Sequence, residues 1–338
     1  MNTLDQSSET VYIVLVNFNN ASDTLECISS IQNIAYRKAH ILIVDNGSID
    51  HSFQYFCESL NLTSLTEFEG LQVGTGLLQH NESNNWISAT AIASEENLGF
   101  TGGNNLAIRF ALLQRDCKFI WLLNNDTVVD KDSLTSLVSE HNATIGANDK
   151  PVLVGSVILD YRDRNTIQAV GGGRVGKLTG KISHPLRGQS IEAVKRFTDK
   201  EMPDYISGCS VLISSKNLRT LGPLNNSYFL YWEDTEWSFR CKKRGGDLVI
   251  ATSSFVYHRK GSTSHRYPLV GFFDNRNCLL FTQEYHPKYL LPTFISRIAI
   301  IIAIGLKHRN WQLFKASIGG VWAFVLSILG RRIEDPRI

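Results

Sequence analysis

A short polar run after a buried strand is the first candidate site in this sequence of 338 residues. In FIWLLNNDTVVD, the apolar run 119–123 ends abruptly at Asn124, Asn125 and Asp126. Hard cations such as Mg²⁺ use one or two carboxylates and complete their shell with phosphate oxygens of a substrate. His258, in FVYHRKGSTSH, follows a predicted strand and could join Asp126 around such an ion. The alternatives are an ordinary turn and a structural histidine.

A pair of acidic residues forms the second candidate site. In YFLYWEDTEWSFRCKKRGG, Glu233 and Asp234 fall at the start of a helix predicted over 234–244. The positive end of the helix dipole favours an ionised carboxylate there, which a general base requires. The alternative is a simple N-cap, because aspartate is a favoured capping residue. Nearby aromatic side chains offer faces of the kind that stack on sugar rings: Tyr228, Phe229, Tyr231 and Trp232.

The elements that would position these residues follow an alternating pattern of strands and helices. Apolar runs at 11–16, 41–44, 89–93 and 119–123 predict strands, and helical segments between them indicate βα units and a largely parallel sheet. Each run ends in Asn, Asp or Gly. Because open α/β sheets bind ligands at the carboxyl ends of their strands, four such ends in succession favour a binding crevice over ordinary turns.

The remaining elements before residue 286 are less regular. Strands are predicted at 152–159, 205–213 and 248–251, and the aperiodic stretch 67–85 is interpreted as a surface excursion or hairpin. The run 171–176 matches the G-x-G-x-x-G dinucleotide fingerprint, but no amphipathic helix follows it, so we interpret it as a flexible loop. No repeat or linker divides this part, and residues 1–285 are predicted to form one catalytic domain.

Charge and cysteine usage narrow the class of protein. A net charge of +2 is too small to indicate a nucleic-acid partner. The six cysteines are scattered without a C-x-x-C pair, which argues against a zinc module or a disulfide framework and fits a reducing cytosol. The N-terminal MNTLDQSSET lacks the basic and apolar regions of a secretory signal, so a cytoplasmic protein is predicted.

The segment 286–338 has a different composition, with eight Lys or Arg residues against two Asp or Glu. Its apolar runs, 298–306 and 316–330, are shorter than the roughly 20 residues of a membrane-spanning helix. Together with Trp311, Trp322 and the flanking basic residues, they predict a helix pair lying in the interface of an anionic membrane. The alternative is two helices packed on the domain or in a dimer.

Five stretches form an ordered set along the chain. They are NFNN (17–20) with VDNGS (44–48), NLGFTGGNN (97–105), LLNNDTVV (122–129), YISGCSVLI (205–213) with YFLYWEDTEWSFR (228–240), and H-x-x-G-S-T (258–263). Over residues 11 to 285 this set resembles the family 2 glycosyltransferases of the GT-A fold, and it is most similar to bacterial rhamnosyltransferase-like members of cell-surface polysaccharide assembly. FFDNRN (272–277) resembles their aromatic-Arg-Asn helix. The resemblance implies a Rossmann-like α/β fold with a mixed, mainly parallel central sheet and flanking helices, extended here by the C-terminal apolar and basic helices.

The resemblance also implies roles for individual residues. The donor would be bound by Asn17, Asn19, Asp45, Asn46, Gly99, Gly102, Gly103, Asn104, Asn125 and Arg276. The acceptor would contact Tyr231, Trp232 and Gly208, with Asp234 as the base and Glu233 beside it. A divalent cation, Mg²⁺ or Mn²⁺, would be held by Asp126, His258 and Asn124. Asn124 stands where the family's D-x-D-type motif has its first acid, and an amide is a weaker ligand than a carboxylate, so strict metal dependence is left open.

The predicted activity is inverting sugar transfer. One base serves the acceptor hydroxyl, and a cation absorbs the charge of the leaving nucleoside diphosphate, whereas glycosidases need two carboxylates. The predicted partners are a dTDP- or UDP-linked donor, a glycan or polyprenyl-diphosphate-linked acceptor, and the inner face of the cytoplasmic membrane; an oligomer is left open. One alternative is a sugar-phosphate nucleotidylyltransferase, although NFNNASD lacks the glycine-rich basic loop that such enzymes need. The other is a non-catalytic protein that binds sugar nucleotides.

Overall fold

Strands and helices alternate through most of the computed structural model, which describes residues 9–80, 86–144, 150–259, 267–308 and 310–330. The strands are β1 Thr10–Asn17, β2 Ala39–Asn46, β3 Ser64–Phe68, β4 Leu71–Gln79, β5 Trp86–Ser94, β6 Cys117–Asn124, β7 Thr127–Val129, β8 Val152–Asp160, β9 Ile167–Val170, β10 Gly172–Val175, β11 Ile182–Ser183, β12 Tyr205–Ile206, β13 Ser210–Ser214 and β14 Asp247–His258. The α-helices are α1 Ala21–Ile31, α2 Ser52–Ser59, α3 Gly99–Leu113, α4 Ser133–Thr144, α5 Ser215–Leu221, α6 Glu233–Lys243, α7 Tyr267–Tyr285, α8 Leu290–His308 and α9 Trp311–Ile328.

Four parallel strands form the centre of the sheet. They lie in the order β5-β2-β1-β6, and each contains one of the four apolar runs that predict strands in the first half of the sequence. Antiparallel strands extend this centre on both sides, with β4 and β3 beyond β5 and with β13 beyond β6. The predicted mixed sheet with a mainly parallel centre is therefore confirmed.

The sheet separates two hydrophobic cores. Alternate residues of a strand face opposite sides, so Val11, Ile13 and Leu15 of β1 enter one core and Tyr12 and Val14 enter the other. Helices α1, α2 and α4 cover the first core, and α3, α5 and α6 cover the second. Burial on both faces explains why the central strands are continuous apolar runs rather than alternating ones.

Two predictions for the later strands are wrong. Residues 205–213 do not form one strand: β12 and β13 are separated by a turn at 207–209. Residues 171–176 are not a flexible loop, because β10 pairs there with β9 and β12. A Cβ atom on Gly172 would lie 1.9 Å from the carbonyl oxygen of Tyr205, so glycine is required where these two backbones meet.

The predicted hairpin within 67–85 is confirmed in part. Strands β3 and β4 pair in antiparallel fashion, and β4 continues the sheet beyond β5. Residues 81–85 lie outside the described part of the chain.

The C-terminal helices pack on α7 through their inner faces. A Cβ atom on Gly320 of α9 would lie 2.1 Å from the carbonyl oxygen of Phe272, which shows how closely α9 approaches α7. Leu279 of α7, Ile301 of α8 and Phe324 of α9 share one small core. The predicted boundary at 285/286 coincides with the end of α7, but the tail and the domain are in extensive contact and the boundary stays a prediction.

The outer faces of α8 and α9 are apolar and exposed. They present Leu291, Ile295, Ile302, Leu306, Trp311, Ile318 and Trp322 to solvent. By length and composition alone, Pro287–Lys307 and Trp311–Ile328 could each cross a membrane, which corrects the expectation that neither run is long enough. Arg297 does not interrupt the apolar outer face of α8, because its side chain is only 8% exposed and is paired with Asp274.

Candidate active site

A cleft of about 670 Å³ opens at the carboxyl ends of β1, β2 and β6. Its lining comes from the residues after β1 and β6, the 97–100 segment, the 207–209 turn and the 229–235 segment at the start of α6. The cleft lies at the sheet edge where the strand pattern predicts a binding crevice. It brings together Asn19, Asn46, Gly99, Asn124, Asn125, Asp126, Gly208, Tyr231, Trp232, Glu233, Asp234 and His258.

Six other predicted donor residues are described but are not among the lining residues: Asn17, Asp45, Gly102, Gly103, Asn104 and Arg276. Asn17 is fully buried, and its amide nitrogen donates to Asp45 Oδ1 (3.0 Å) and to Ser48 Oγ (3.2 Å). Arg276 donates to the carbonyl oxygen of Ser227 and to the side chain of Asn277. These contacts hold neighbouring loops in place around the cleft.

The glycine-rich 97–105 segment meets two neighbours at short range. Gly99 has φ +71°, and a Cβ atom there would lie 2.3 Å from the carbonyl oxygen of Phe229. At Gly103 a Cβ atom would lie 2.7 Å from Val16 Cγ1, so the first turn of α3 packs directly on β1. Asn46 fixes the segment by accepting from the Leu98 N–H (3.0 Å) and donating to the Gly99 carbonyl (3.0 Å). Close packing therefore accounts for these glycines without any ligand contact.

The structure brings Asp126 and His258 face to face across the cleft lining. His258 is the last residue of β14, and its Nε2 lies 3.4 Å from Asp126 Oδ1. Gln168, which no sequence motif singles out, orients the imidazole. Its amide nitrogen donates to the His258 carbonyl (2.9 Å), which leaves its oxygen 3.1 Å from His258 Nδ1. The Nδ1 atom therefore donates to Gln168, and Nε2 is the ring nitrogen that faces Asp126.

Asp126 and His258 alone supply too few ligand atoms for a divalent ion, so a bound diphosphate would have to supply the others. Within the described residues there is no group of three or more His, Cys, Asp or Glu side chains that could hold a metal ion. One carboxylate and one imidazole nitrogen nevertheless face each other, and a hard cation can complete its shell with phosphate oxygens. The Asn124 side chain lies in the same lining. These residues fit an ion that arrives with a diphosphate.

Asp234 lies in the first turn of α6, one residue after Glu233, and is not the N-cap, a position that Trp232 occupies. Its Oδ2 accepts from the Gly208 N–H (2.9 Å), and its Oδ1 accepts from the Thr235 N–H (2.6 Å) and the Thr235 hydroxyl (3.2 Å). Three donors to a carboxylate favour its ionised form. Burial outweighs them, so the pKa of Asp234 is raised above its ordinary value, opposite to the shift expected from the helix dipole alone.

Glu233 differs from its neighbour in its hydrogen bonds. It is 5% exposed, lines the cleft, and its Oε2 has no partner in the described structure. Burial, followed by the charge of Asp234, raises the pKa of Glu233 well above the usual range. Gly208 and Thr235 donate three hydrogen bonds to Asp234, whereas a backbone hydrogen bond alone supports a charge on Glu233, so Asp234 is the acid that we expect to ionise first.

If Asp234 is the base that the sequence motifs predict, its raised pKa should be visible in a pH-rate profile. A base works deprotonated, so raising its pKa moves the loss of activity on acidification to higher pH. We expect kcat/KM for sugar transfer to fall with decreasing pH as one proton binds, with a midpoint above the ordinary aspartate pKa of about 4. The midpoint should stay nearly constant in Glu233→Gln, which mimics a protonated glutamate. A midpoint at or below 4 would contradict the assignment of Asp234.

The chain reaches α6 through an unusual backbone turn. Tyr231 and Trp232 have φ angles of 67° and 73°, and such left-handed conformations cost on the order of 1–3 kcal/mol each in non-glycine residues. Helix α7 supports the turn, because the Asn277 amide nitrogen donates to the carbonyls of Leu230 and Tyr231, both at 2.9 Å. Of the aromatic residues expected near a sugar, Phe229, Tyr231 and Trp232 line the cleft, whereas Tyr228 is buried.

Comparison with known proteins identifies the fold class. No family model matches the sequence. A hexosyltransferase of low-salt glycan biosynthesis from Haloferax volcanii is 22% identical over 214 residues, which are 63% of this chain and 66% of the relative. The chain thus spans just under two thirds of the length of that curated relative.

Two solved structures are similar to the chain with TM-scores above 0.5. GalNAc-T7, solved with UDP, GalNAc and Mn²⁺, has a TM-score of 0.53 at 17% identity, over 74% of this chain and 43% of that protein. The mannosyltransferase PcManGT from Pyrobaculum calidifontis, solved with GDP-Man and Mn²⁺, has a TM-score of 0.51 at 12% identity, over 95% of this chain and 89% of the other. The fold is the GT-A fold of glycosyltransferases, as the sequence motifs predict.

Proposed function

We propose that this protein is an inverting, nucleotide-sugar-dependent glycosyltransferase. One observation carries the proposal. Two consecutive residues of the 207–209 turn bind both the proposed base, Asp234, and the 124–126 run that would hold the cation. The Gly208 N–H donates to Asp234 Oδ2 (2.9 Å), and the Cys209 carbonyl accepts from the Asn124 N–H (3.0 Å). A fixed spacing between a general base and a diphosphate site is what a single-displacement sugar transfer needs.

Asp234 acts on the acceptor. Its carboxylate takes the proton of the acceptor hydroxyl while that oxygen bonds to the anomeric carbon and the bond from this carbon to the diphosphate oxygen breaks. The displacement occurs on the face opposite the leaving group and therefore inverts the configuration. Glu233 stays protonated beside the base and offers a hydrogen bond to the acceptor.

Asp126, His258 and Asn124 act on the donor. They would hold a divalent cation, Mg²⁺ or Mn²⁺, which when bound offsets the negative charge on the departing nucleoside diphosphate. Gln168 keeps the His258 ring in the tautomer that such an ion requires. GalNAc-T7 was solved with UDP and Mn²⁺, and PcManGT with GDP-Man and Mn²⁺, which supports the choice of ion and of donor class.

The sequence motifs favour a dTDP- or UDP-linked donor, with rhamnose as the sugar, and a glycan or polyprenyl-diphosphate-linked acceptor. The tail supports a location on the inner face of the cytoplasmic membrane, because from 285 to 333 the sequence contains seven Lys or Arg residues and no Asp or Glu. Anionic lipid attracts such a segment, and the exposed apolar faces of α8 and α9 would enter the lipid interface.

A screen of nucleotide-sugars tests the proposal. Purified protein is incubated with UDP-, dTDP- and GDP-sugars, with Mg²⁺ or Mn²⁺, and with p-nitrophenyl glycosides or farnesyl-diphosphate-linked N-acetylglucosamine as acceptors. Mass spectrometry should detect acceptor-dependent release of the nucleoside diphosphate, and NMR of the product should show an inverted anomeric configuration. Binding of nucleotides without turnover would instead favour a non-catalytic sugar-nucleotide-binding protein.

Introducing a carboxylate at position 124, where the family motif has its first acid, should strengthen metal binding. In Asn124→Asp a second carboxylate replaces a neutral amide, so the affinity for Mn²⁺ in the presence of UDP should rise roughly tenfold, measured by calorimetry. Asn125→Asp is the matched control, because it adds the same charge one residue away, where the native side chain is bound to Thr24 Oγ1 (2.8 Å). Equal gains in both variants, or none in Asn124→Asp, would place Asn124 outside the ion's shell.

A further inference from the structure

A side-chain network joins the C-terminal helix α8 to the residue that starts the catalytic helix. Asp274 of α7 lines the cleft, and its two carboxylate oxygens have different partners. Its Oδ1 accepts from the indole N–H of Trp232 (2.9 Å), and its Oδ2 accepts from the Arg297 guanidinium of α8. Arg297 also donates from Nε to Asn275 Oδ1 (2.8 Å). Trp232, the N-cap of α6, is therefore tied to α8 through a single carboxylate.

Arg297 and Trp232, the two ends of this network, are buried, and Asp274 between them is 38% exposed where it lines the cleft. The Arg297 side chain is 8% exposed, and the planar guanidinium places two N–H groups on two adjacent side chains of α7, which a lysine cannot reproduce. Trp232 is 4% exposed, and its ring packs on Phe281 at a centroid distance of 5.2 Å. Among the described residues, the hydrogen bond to Asp274 is the polar contact that the Trp232 indole makes.

Helix α8 makes a second contact with the surroundings of the cleft. The hydroxyl of Thr293 donates to the carbonyl of Lys177 (3.0 Å), in the loop between β10 and β11. That loop leads directly to Ile182, which lines the cleft together with Trp232 and Asp274. One helix therefore supports two parts of the cleft wall, and its opposite face carries exposed apolar residues such as Leu291 and Ile295.

We propose that Arg297 and Asp274 are positioning residues, which hold Trp232 and the turn before α6 so that the acceptor side of the cleft is formed only when α8 is seated on α7. This inference deepens the proposed function and rests on it for its catalytic consequence. The network contacts the 231–234 segment and has no described bond to Asp126 or His258, so it should affect the acceptor and leave donor binding alone.

The test compares Arg297→Lys and Trp232→Phe with a matched control in the full-length protein. Trp237→Phe is the control, because Trp237 lies on the same helix and its indole N–H donates over the same distance (2.9 Å), but to the Gly222 carbonyl and away from α7 and α8. We expect Arg297→Lys and Trp232→Phe to lower kcat/KM for transfer to farnesyl-diphosphate-linked N-acetylglucosamine roughly tenfold to a hundredfold. In Arg297→Lys, the affinity for UDP with Mn²⁺ and the slow hydrolysis of the UDP-sugar should not change.

The ratio of transfer to hydrolysis separates positioning from general destabilisation. Trp237→Phe should lower the melting temperature without changing this ratio. Arg297→Lys and Trp232→Phe together should be no worse than either alone, because both interrupt the same connection. An unchanged ratio in the single variants, or additive losses in the double variant, would overturn the proposal.

A readout without substrate distinguishes failure of this inference from failure of the proposed function. In ¹⁵N-labelled protein the indole N–H signal of Trp232, assigned by its loss in Trp232→Phe, should move upfield in Arg297→Lys, while the Trp237 signal stays in place. If the unmodified protein transfers no sugar but this shift occurs, the connection between Arg297 and Trp232 is supported and the proposed glycosyltransferase activity is contradicted. If transfer occurs and the shift does not, the positioning role fails.

Discussion

Replacing Asp234 with asparagine should lower kcat for sugar transfer by about 10²- to 10⁴-fold while nucleotide binding survives. Asparagine has nearly the same shape and can still accept from the Gly208 N–H, but it cannot take a proton from the acceptor hydroxyl. The Gly208 and Thr235 donors hold the carboxylate of Asp234 and not that of Glu233, so we do not expect Glu233 to take over as the base. The measurement is steady-state transfer with the donor found in the screen, together with calorimetric titration of UDP and Mn²⁺.

Glu233→Gln is the control for this experiment. It changes the adjacent acid of the same cleft, yet it keeps the neutral, hydrogen-bonding character that burial gives Glu233, so transfer should remain within a few-fold of the unmodified protein. Undiminished turnover in Asp234→Asn would exclude Asp234 as the base. A collapse in Glu233→Gln with full activity in Asp234→Asn would exchange the two roles.

Replacing Asp126 with alanine should lower metal-stimulated transfer by about 10²-fold or more. Asp126 is the single carboxylate of the proposed cation site, and its loss leaves His258 without the anionic partner that lies 3.4 Å away. Mn²⁺ should then bind more weakly, and UDP should no longer bind more tightly when Mn²⁺ is added. Calorimetry of UDP with and without Mn²⁺ measures this coupling directly.

Asp130→Asn provides the matched control for Asp126. Asp130 lies four residues further along the same run and accepts from the backbone N–H of Asp132 (3.2 Å), and it is not among the residues that line the cleft. Its replacement should leave metal-dependent transfer unchanged. Equal losses in the two variants would indicate that the run serves the fold rather than the ion.

The central strands and the crevice were predictable because local sequence encodes them. A strand buried on both faces must be a continuous apolar run, and the chain must become polar where it leaves the sheet, as at Asn124. Parallel neighbours align their carboxyl ends, so residues after β1, β2 and β6 converge without further information. The strand pattern does not place Asp234, which lies on α6; its assignment to one site with Asp126 came from the resemblance of the motifs to GT-A glycosyltransferases.

The supporting residues could not be predicted in this way. Gln168 lies 90 positions before His258, and Asp274 lies 42 positions after Trp232. Nothing in the local sequence distinguishes Gln168 from an ordinary surface polar residue, and the FFDNRN motif that contains Asp274 does not reveal its partner. Both roles depend on pairing between β8, β9 and β14 and on the packing of α7 against α6. Arg297 illustrates the same point. In the sequence it is a charge that interrupts an apolar helix, whereas in the folded protein it is buried and paired with Asp274.

The sequence by itself determined the four central strands and their polar ends, because these depend on residue type and on short-range periodicity, and it proposed the acids of the site through the family resemblance of its motifs. Tertiary structure decided which acid carries charge. Glu233 and Asp234 are adjacent and chemically alike, and only the Gly208 and Thr235 donors, brought to one carboxylate and not the other, separate them. Burial and hydrogen bonding act through space, so the pKa values of these two neighbours were set by partners that the linear sequence does not reveal.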